Sequence, residues 1–220
     1  MCQGRTRVAV VGRLVVIEGL DGSGKRTLGA ALTEAFQRRG AKVAQHAFPR
    51  YGDSVHADLV SDALHGRLGD VADSVHSMAV LFALDRHGAR DALLRDLEDF
   101  DVVLVDRYIA SNAAYQAARL HQDEHGEIVE WIRQLEVERF GLPVPDRQLL
   151  LRVPVDLAAT RAETRDRVRD TYEKDGGLQA RCSAVYDGLA RVGWLAPWQV
   201  LDGSGDQDFE QLSGTLLADA

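Results

Sequence analysis

The chain predicts an α/β fold of three layers, α/β/α, with a parallel five-stranded sheet flanked by helices. Two observations carry that expectation. Short apolar runs recur along the 220 residues, each bounded by turn residues, and long stretches of helical composition lie between them. A short apolar run without polar alternation fits a strand buried on both faces. Strand alternating with helix implies crossover connections, hence a parallel sheet whose ligands bind at the carboxyl ends of the strands.

The first run, Leu14-Val15-Val16-Ile17, ends at Glu18-Gly19 and leads through a glycine-rich loop to a helix over 28–39. A mixed but strand-like segment spans Lys42 to Phe48, and a long helix is expected from Val71 to Leu97. The run Val102-Val103-Leu104-Val105 then ends at Asp106. A helix over Ile128 to Phe140, the turn Pro143-Val144-Pro145 and the strand Gln148 to Leu151 follow. The pattern closes with a helix over Leu178 to Val192, the strand Trp198 to Leu201, a loop at Gly203 to Asp206 and a short final helix. No repeat or low-complexity linker interrupts this order, so a single domain over 13–220 is expected behind an N-terminal extension, 1–12.

Apolar content of 45% and charged content of 27% are ordinary for a globular protein. The net charge of −8 argues against a nucleic-acid partner, because counterion release needs clustered Lys and Arg. A small phosphorylated ligand needs only a local positive pocket. No apolar run approaches the ~18 residues of a membrane span, and Val8 to Val11 is too short for the core of a secretion signal. Cys2 and Cys182 form no disulfide framework, which suits a reducing cytoplasm. The scattered histidines form no zinc-binding pair, and no Gly-x-Ser-x-Gly elbow is present.

Chemistry enters at Gly19-Leu20-Asp21-Gly22-Ser23-Gly24-Lys25-Arg26-Thr27. Gly19-x4-Gly24-Lys25 follows a strand and opens a helix, the context that a phosphate-binding P-loop requires. Glycines let successive N–H groups turn inward onto phosphate oxygens, the helix dipole adds to them, and Lys25 reaches the terminal phosphates. Residues 19, 22–24 and 25–27 are therefore expected to bind ATP. Arg26 stands where a Ser or Thr hydroxyl usually ligates Mg²⁺, and Thr27 is one step further on. Asp21 then becomes a candidate for the metal or for a substrate hydroxyl. Asp106-Arg107-Tyr108 is delivered to the same sheet edge, where Asp106 could order Mg²⁺ and Arg107 could clamp an acceptor phosphate. A local ion pair is the lesser alternative for both residues, given their place at the strand end.

The stretch Asp106 to Gln116 (DRYIASNAAYQ), together with Phe48-Pro49-Arg50-Tyr51-Gly52 and Leu81-Phe82-Ala83-Leu84-Asp85-Arg86, resembles the signature of the thymidylate kinases. The resemblance runs from about Arg13 onward. It implies a P-loop kinase fold, transfer of the γ-phosphoryl group of ATP to dTMP with Mg²⁺, a homodimer and a cytoplasmic location. It further implies that Phe82 stacks on the base, that Arg86 donates to its O4, and that Asn112 and Tyr115 line the base edge and the sugar 2′ position. Phe48, Arg50, Tyr51, Asp21, Arg107 and Tyr172 complete the implied dTMP site, and Glu173 lies near the metal. Phe82 and Arg86 are four apart and would share a helix face, as would Asn112 and Tyr115, three apart. Taken alone, Phe82 and Tyr115 read as core aromatics.

The arginine-rich run at 160–171 would, on its own, be a solvated helix face. In a nucleotide kinase this place is a short lid over ATP, and Gly22 and Ser23 leave the loop without an arginine before Lys25. Arg161 and Arg165, with Arg169, are the candidates for a catalytic lid cation. Two rivals stand beside the dTMP reading: a kinase of another acceptor such as dUMP or a deoxynucleoside, and a GTPase-like switch. The second would carry Asn-Lys-x-Asp, which the sequence lacks.

Overall fold

The computed structural model describes residues 12–163, 172 and 176–218. Strands β1 (Arg13–Glu18), β2 (Val43–Ala47), β3 (Val102–Asp106), β4 (Arg147–Arg152) and β5 (Trp198–Asp202) form one parallel sheet in the order β2-β3-β1-β4-β5. Helices α1 (Lys25–Arg38), α2 (Val55–Leu64), α3 (Val75–Asp99), α4 (Ile109–Arg119), α5 (Glu127–Arg133), α6 (Val155–Glu163), α7 (Gly176–Val192) and α8 (Phe209–Ala218) surround it.

The unalternating apolar runs have the cause the sequence suggests. Leu14, Val16, Val103 and Val105 point into one core with Met78 and Leu93 of α3, Ala113 of α4 and Leu189 of α7. Val15, Ile17, Val102 and Leu104 point into a second with Leu28, Leu32 and Phe36 of α1 and Leu212 and Leu216 of α8. Each fully buried Val, Leu or Ile contributes ~1.5–3 kcal/mol, so alternate residues of every central strand tie a helical layer to each face. The three-layer expectation and all five strands are borne out.

Several boundaries differ. The long helix begins at Val75 rather than Val71, because the Ser74 side chain caps it by accepting from Ser77 N at 3.2 Å. The helix expected over Ile128 to Phe140 is α5 followed by a π-helical segment, Gln134–Arg139. Helices α2, capped by Ser54, and α6 were not predicted. Residues 160–163, expected to begin the lid, form the last turn of α6, while 164–171 lie outside the described residues, as do 1–11 of the N-terminal extension.

Register brings the two functional loops together. Ile17 of β1 pairs with Asp106 of β3, and Arg107 N donates to Ile17 O at 2.9 Å. The glycine-rich loop after β1 and the Arg107 segment after β3 therefore leave the sheet side by side at its carboxyl edge.

Candidate active site

The loop between β1 and α1 is shaped by its glycines. Gly24 caps α1 in the left-handed region at φ 101°, which costs a residue with a Cβ but not glycine. At Gly19, with φ 144°, an added Cβ would lie 2.7 Å from Leu151 O of β4. The Lys25 ammonium folds back over the loop, donating to Leu20 O at 2.8 Å and Gly19 O at 3.2 Å. Burial and then the Arg107 charge push this ammonium down to about 8, against the pull of Asp21 and Asp106. Lys25, Gly22, Gly24, Arg26, Asp106 and Arg107 line a small polar cavity of about 110 Å³.

Arg107 carries its side chain on a backbone with φ 64°, a conformation uncommon outside glycine and often found at functional sites. Its Nη2 donates to Asp21 Oδ1 at 2.8 Å and its Nη1 to Ser111 Oγ at 3.2 Å, with the guanidinium 5.5 Å from the Tyr115 ring centroid. Tyr115 OH donates to the other Asp21 oxygen at 3.1 Å. Burial alone would raise the Asp21 carboxyl, but Arg107 and Lys25 overcome it and hold the group well below the usual carboxylate range.

Behind Arg107 lies a residue the sequence reading passed over as a strand end. Glu18 is fully buried and accepts from Tyr108 N at 2.9 Å, Ser111 N at 3.2 Å, Ser111 Oγ at 2.5 Å and Tyr186 OH at 3.2 Å. Two of these donors are N–H groups of the first turn of α4, so Glu18 caps that helix from another strand. Burial pushes its carboxyl upward, opposed by Ser111 and Arg107. A carboxylate closing an otherwise apolar strand was the available signal for it.

A larger cavity of about 430 Å³ opens beside the first and shares Asp21, Arg26, Phe48 and Arg107 with it. Phe82, Arg86, Asn112, Tyr115 and Tyr172 line its walls, and half-exposed Tyr51 stands at its rim. Tyr115 and Tyr172 stack with centroids 6.0 Å apart. Arg86 is held by Glu136 of the π-helical segment through Nε at 2.5 Å and Nη2 at 2.7 Å, and Asn112 Nδ2 donates to the same carboxylate at 2.8 Å. Glu136, Gln116 and Ser111 complete this shell and were not singled out from sequence.

Some expected residues sit elsewhere. Arg50 is not a wall of either cavity: its Nε donates to Asp85 Oδ1 at 2.9 Å and its Nη2 to Asp85 O at 2.6 Å. Thr27 is exposed on α1 and outside both cavities, whereas exposed Arg26 lines both. Arg161 donates to Gly203 O at 3.1 Å, away from both cavities. Arg165 and Glu173 lie outside the described residues.

The residues present fit Mg²⁺ in one particular way. Among the described residues no group of three acidic, His or Cys side chains could cage a metal. Mg²⁺, however, usually takes one or two carboxylates and completes its shell with substrate phosphates and water. Asp106 Oδ1 is buried without a hydrogen-bond partner in the polar cavity, as a ligand oxygen awaiting a cation would be. Both Asp21 oxygens, by contrast, already accept from Arg107 and Tyr115.

A family model described as thymidylate kinase matches residues 17–203. The chain is 50% identical over 208 residues to the thymidylate kinase of Mycobacterium tuberculosis (strain ATCC 25618 / H37Rv), covering 92% of this chain and 96% of that one. It is 35% identical over 199 residues to the thymidylate kinase of Xanthomonas oryzae pv. oryzae (strain MAFF 311018), covering 90% and 78%. It is 32% identical over 182 residues to a probable thymidylate kinase of Thermococcus kodakarensis, covering 81% and 84%.

Proposed function

Because this chain belongs to the thymidylate kinase family, we propose that it transfers the γ-phosphoryl group of ATP to the 5′-phosphate of dTMP, giving ADP and dTDP. The observation that carries the site assignment is the junction of the two cavities. A small cationic pocket on the glycine-rich loop opens into a nucleoside-sized one, and Asp21, Arg26, Phe48 and Arg107 border both. A donor phosphate in the first and an acceptor phosphate in the second would meet at those residues.

The acceptor oxygen of dTMP is already anionic, so the transfer needs no strong base. Positioning and charge neutralisation supply the catalysis. Lys25 would exchange the Gly19 and Leu20 carbonyls for β- and γ-phosphate oxygens, and the loop N–H groups would hold the same phosphates. Arg107, oriented by Asp21, would clamp the acceptor phosphate with the guanidinium protons its bonds to Asp21 and Ser111 leave over. Arg26, at the start of α1 and the border of both cavities, would meet charge on the phosphoryl group in transit, and Arg165 and Arg169 are candidates for the same work from a lid. Mg²⁺, held by Asp106 and phosphate oxygens, would neutralise charge between the β- and γ-phosphates. Phe82 would stack on the base, with Arg86 and Asn112 at its edge and Tyr115 against the sugar. A homodimer in the cytoplasm is the assembly and location we propose on family membership; no described helix is long and apolar enough to cross a membrane.

An ADP-release assay with ATP and a panel of dTMP, dUMP, UMP, dCMP and thymidine tests the reading. The expected result is turnover with dTMP above all others. Preference for a different acceptor would sink the substrate assignment and leave the kinase standing.

A further inference from the structure

We propose that Glu136 is a positioning residue that sets base specificity: it fixes Arg86 and the Asn112 amide so that the cavity presents one donor and one acceptor to the pyrimidine edge. The inference rests on the dTMP-kinase reading and assigns a determinant to a residue that touches no substrate.

The hydrogen bonds leave little freedom. Glu136 Oε2 accepts from Arg86 Nε, and Oε1 accepts from both Arg86 Nη2 and Asn112 Nδ2. The second Asn112 Nδ2 proton goes to Ala79 O at 3.0 Å. A carboxylate and a backbone carbonyl can only accept, so the amide has one allowed orientation and both of its protons are spent. Its Oδ1 accepts from Gln116 Nε2 at 3.3 Å, and Gln116 is itself oriented because its Oε1 accepts from Arg119 Nη1 at 3.2 Å. One lone pair of Asn112 Oδ1 therefore remains, and Nη1 is the Arg86 nitrogen left over, since no group among the described residues accepts from it. Both residues line the larger cavity beside Phe82.

A pyrimidine with a 4-oxo group and an N3–H offers an acceptor and a donor, the complement of this pair. Cytosine reverses both: its amino group meets the guanidinium, and its bare N3 meets the amide oxygen. An unpinned asparagine could turn over to suit cytosine, and one held by Glu136 does not. The 5-methyl group plays no part, so thymine and uracil should depend on Glu136 alike.

The placement of Glu136 favours a functional reason over a structural one. Ile128, Ile132 and Leu135 form a buried stripe, and the next buried position of that stripe is this carboxylate, fully enclosed. A buried ion pair is weak support for a fold, and a hydrocarbon at such a position is often as stable or more so. The carboxylate also sits in a π-helical segment, a departure from α-geometry found frequently at functional sites.

The test is kcat/KM for dTMP, dUMP and dCMP in the wild type and Glu136→Gln. The variant keeps the shape but turns one acceptor into a donor facing other donors. We expect kcat/KM for dTMP and dUMP to fall by about 10- to 100-fold, chiefly through KM, with dCMP affected far less and KM for ATP unchanged. The ratio of dTMP to dCMP then narrows by about tenfold or more, and Glu136→Asp, which keeps the charge, recovers part of it. An unchanged ratio, with all acceptors falling together or none falling, overturns the proposal. If the Gln variant does not fold, Glu136→Asp carries the same comparison, and a ratio equal to the wild type overturns it. A wild type that phosphorylates neither dTMP nor dUMP would overturn the function itself, and the specificity proposal with it.

Discussion

Raising the pH should cost the free protein its grip on ATP before it costs the bound complex its chemistry. Lys25 is 7% exposed, and burial and the nearby Arg107 lower its ammonium from 10.5 to about 8. That shift corresponds to about 3 kcal/mol of preference for the neutral amine in the nucleotide-free fold. For a base with a depressed folded value, this contribution to stability is fully present above 10.5 and is lost as the pH falls through about 8. Charging Lys25 therefore costs stability at neutral pH, a strain that a bound polyphosphate relieves. Once ATP is bound, its anionic oxygens favour the ammonium and raise its value again. Above pH 8 the free protein must first take up a proton, so kcat/KM for ATP should fall by about tenfold per pH unit, while kcat at saturating ATP stays level to a higher pH. Calorimetric titration of Mg-ATP across pH 7 to 10 isolates the binding step, and Arg107→Met, which removes the depressing charge, should move the break upward. A flat kcat/KM over that range, or kcat and kcat/KM breaking at the same pH, would refute the assignment of this proton to Lys25.

Glu18→Ala leaves Tyr108 N and Ser111 N without their acceptor and should cost about 3–5 kcal/mol in denaturant unfolding, whereas Glu18→Gln, whose hydroxyl partners can turn to accept, should cost about 1 kcal/mol. An Ala variant as stable as the Gln variant would remove Glu18 as the cap of α4. Gly19→Ala must part the loop from β4, because the new Cβ meets Leu151 O at 2.7 Å; a stability loss of about 2 kcal/mol or more and weakened ATP binding are expected, and wild-type affinity would count against the close approach. Asp21 has a lowered folded value, so its contribution is present above 3.8 and lost as the pH falls through the folded value. Asp21→Asn should therefore flatten the acid limb of the stability–pH curve below about 3.8, and an unchanged limb would show that its pairing with Arg107 does not favour the ionised form.

The strands were legible because a strand buried on both faces needs no alternation to be recognised, and β1, β3 and β4 are such strands. The site motifs were legible because phosphate chemistry demands glycines and a lysine at fixed spacing next to a strand. Hidden were the partners of those residues. Glu18 and Ser111 are 93 residues apart and Arg86 and Glu136 are 50 apart, and a lone Glu in a helical stretch reads as surface until its neighbours in space are known. The π-helical segment was invisible for a related reason. The buried positions Ile128, Val129, Ile132, Leu135 and Glu136 keep α-helical spacing, so nothing in the pattern marks where the backbone widens. Arg50 shows the same limit: its motif position suggested a ligand contact, and the sequence did not reveal that Asp85 on α3 engages its guanidinium.

The carboxylates of the site fall into a series by how many donors each already satisfies, and that series bears on which of them can take a metal. Glu18 accepts from four donors and is fully buried, so it serves as structure. Glu136 accepts from three and orients Arg86 and Asn112. Asp21 accepts one donor on each oxygen, enough to aim Arg107 and leave lone pairs for a substrate hydroxyl. Among the described carboxylates of the site, Asp106 alone holds a buried oxygen with no donor, and it lies close enough to Lys25 to raise the ammonium's value. Asp106 would thus be the carboxylate to hold a divalent ion brought in by the nucleotide, which would satisfy that oxygen together with the phosphate charge. This is why Arg26 in place of the usual hydroxyl need not remove metal dependence. The protein's share of the coordination would then move from α1 to the end of β3, leaving Arg26 as a cation at the border of the two cavities.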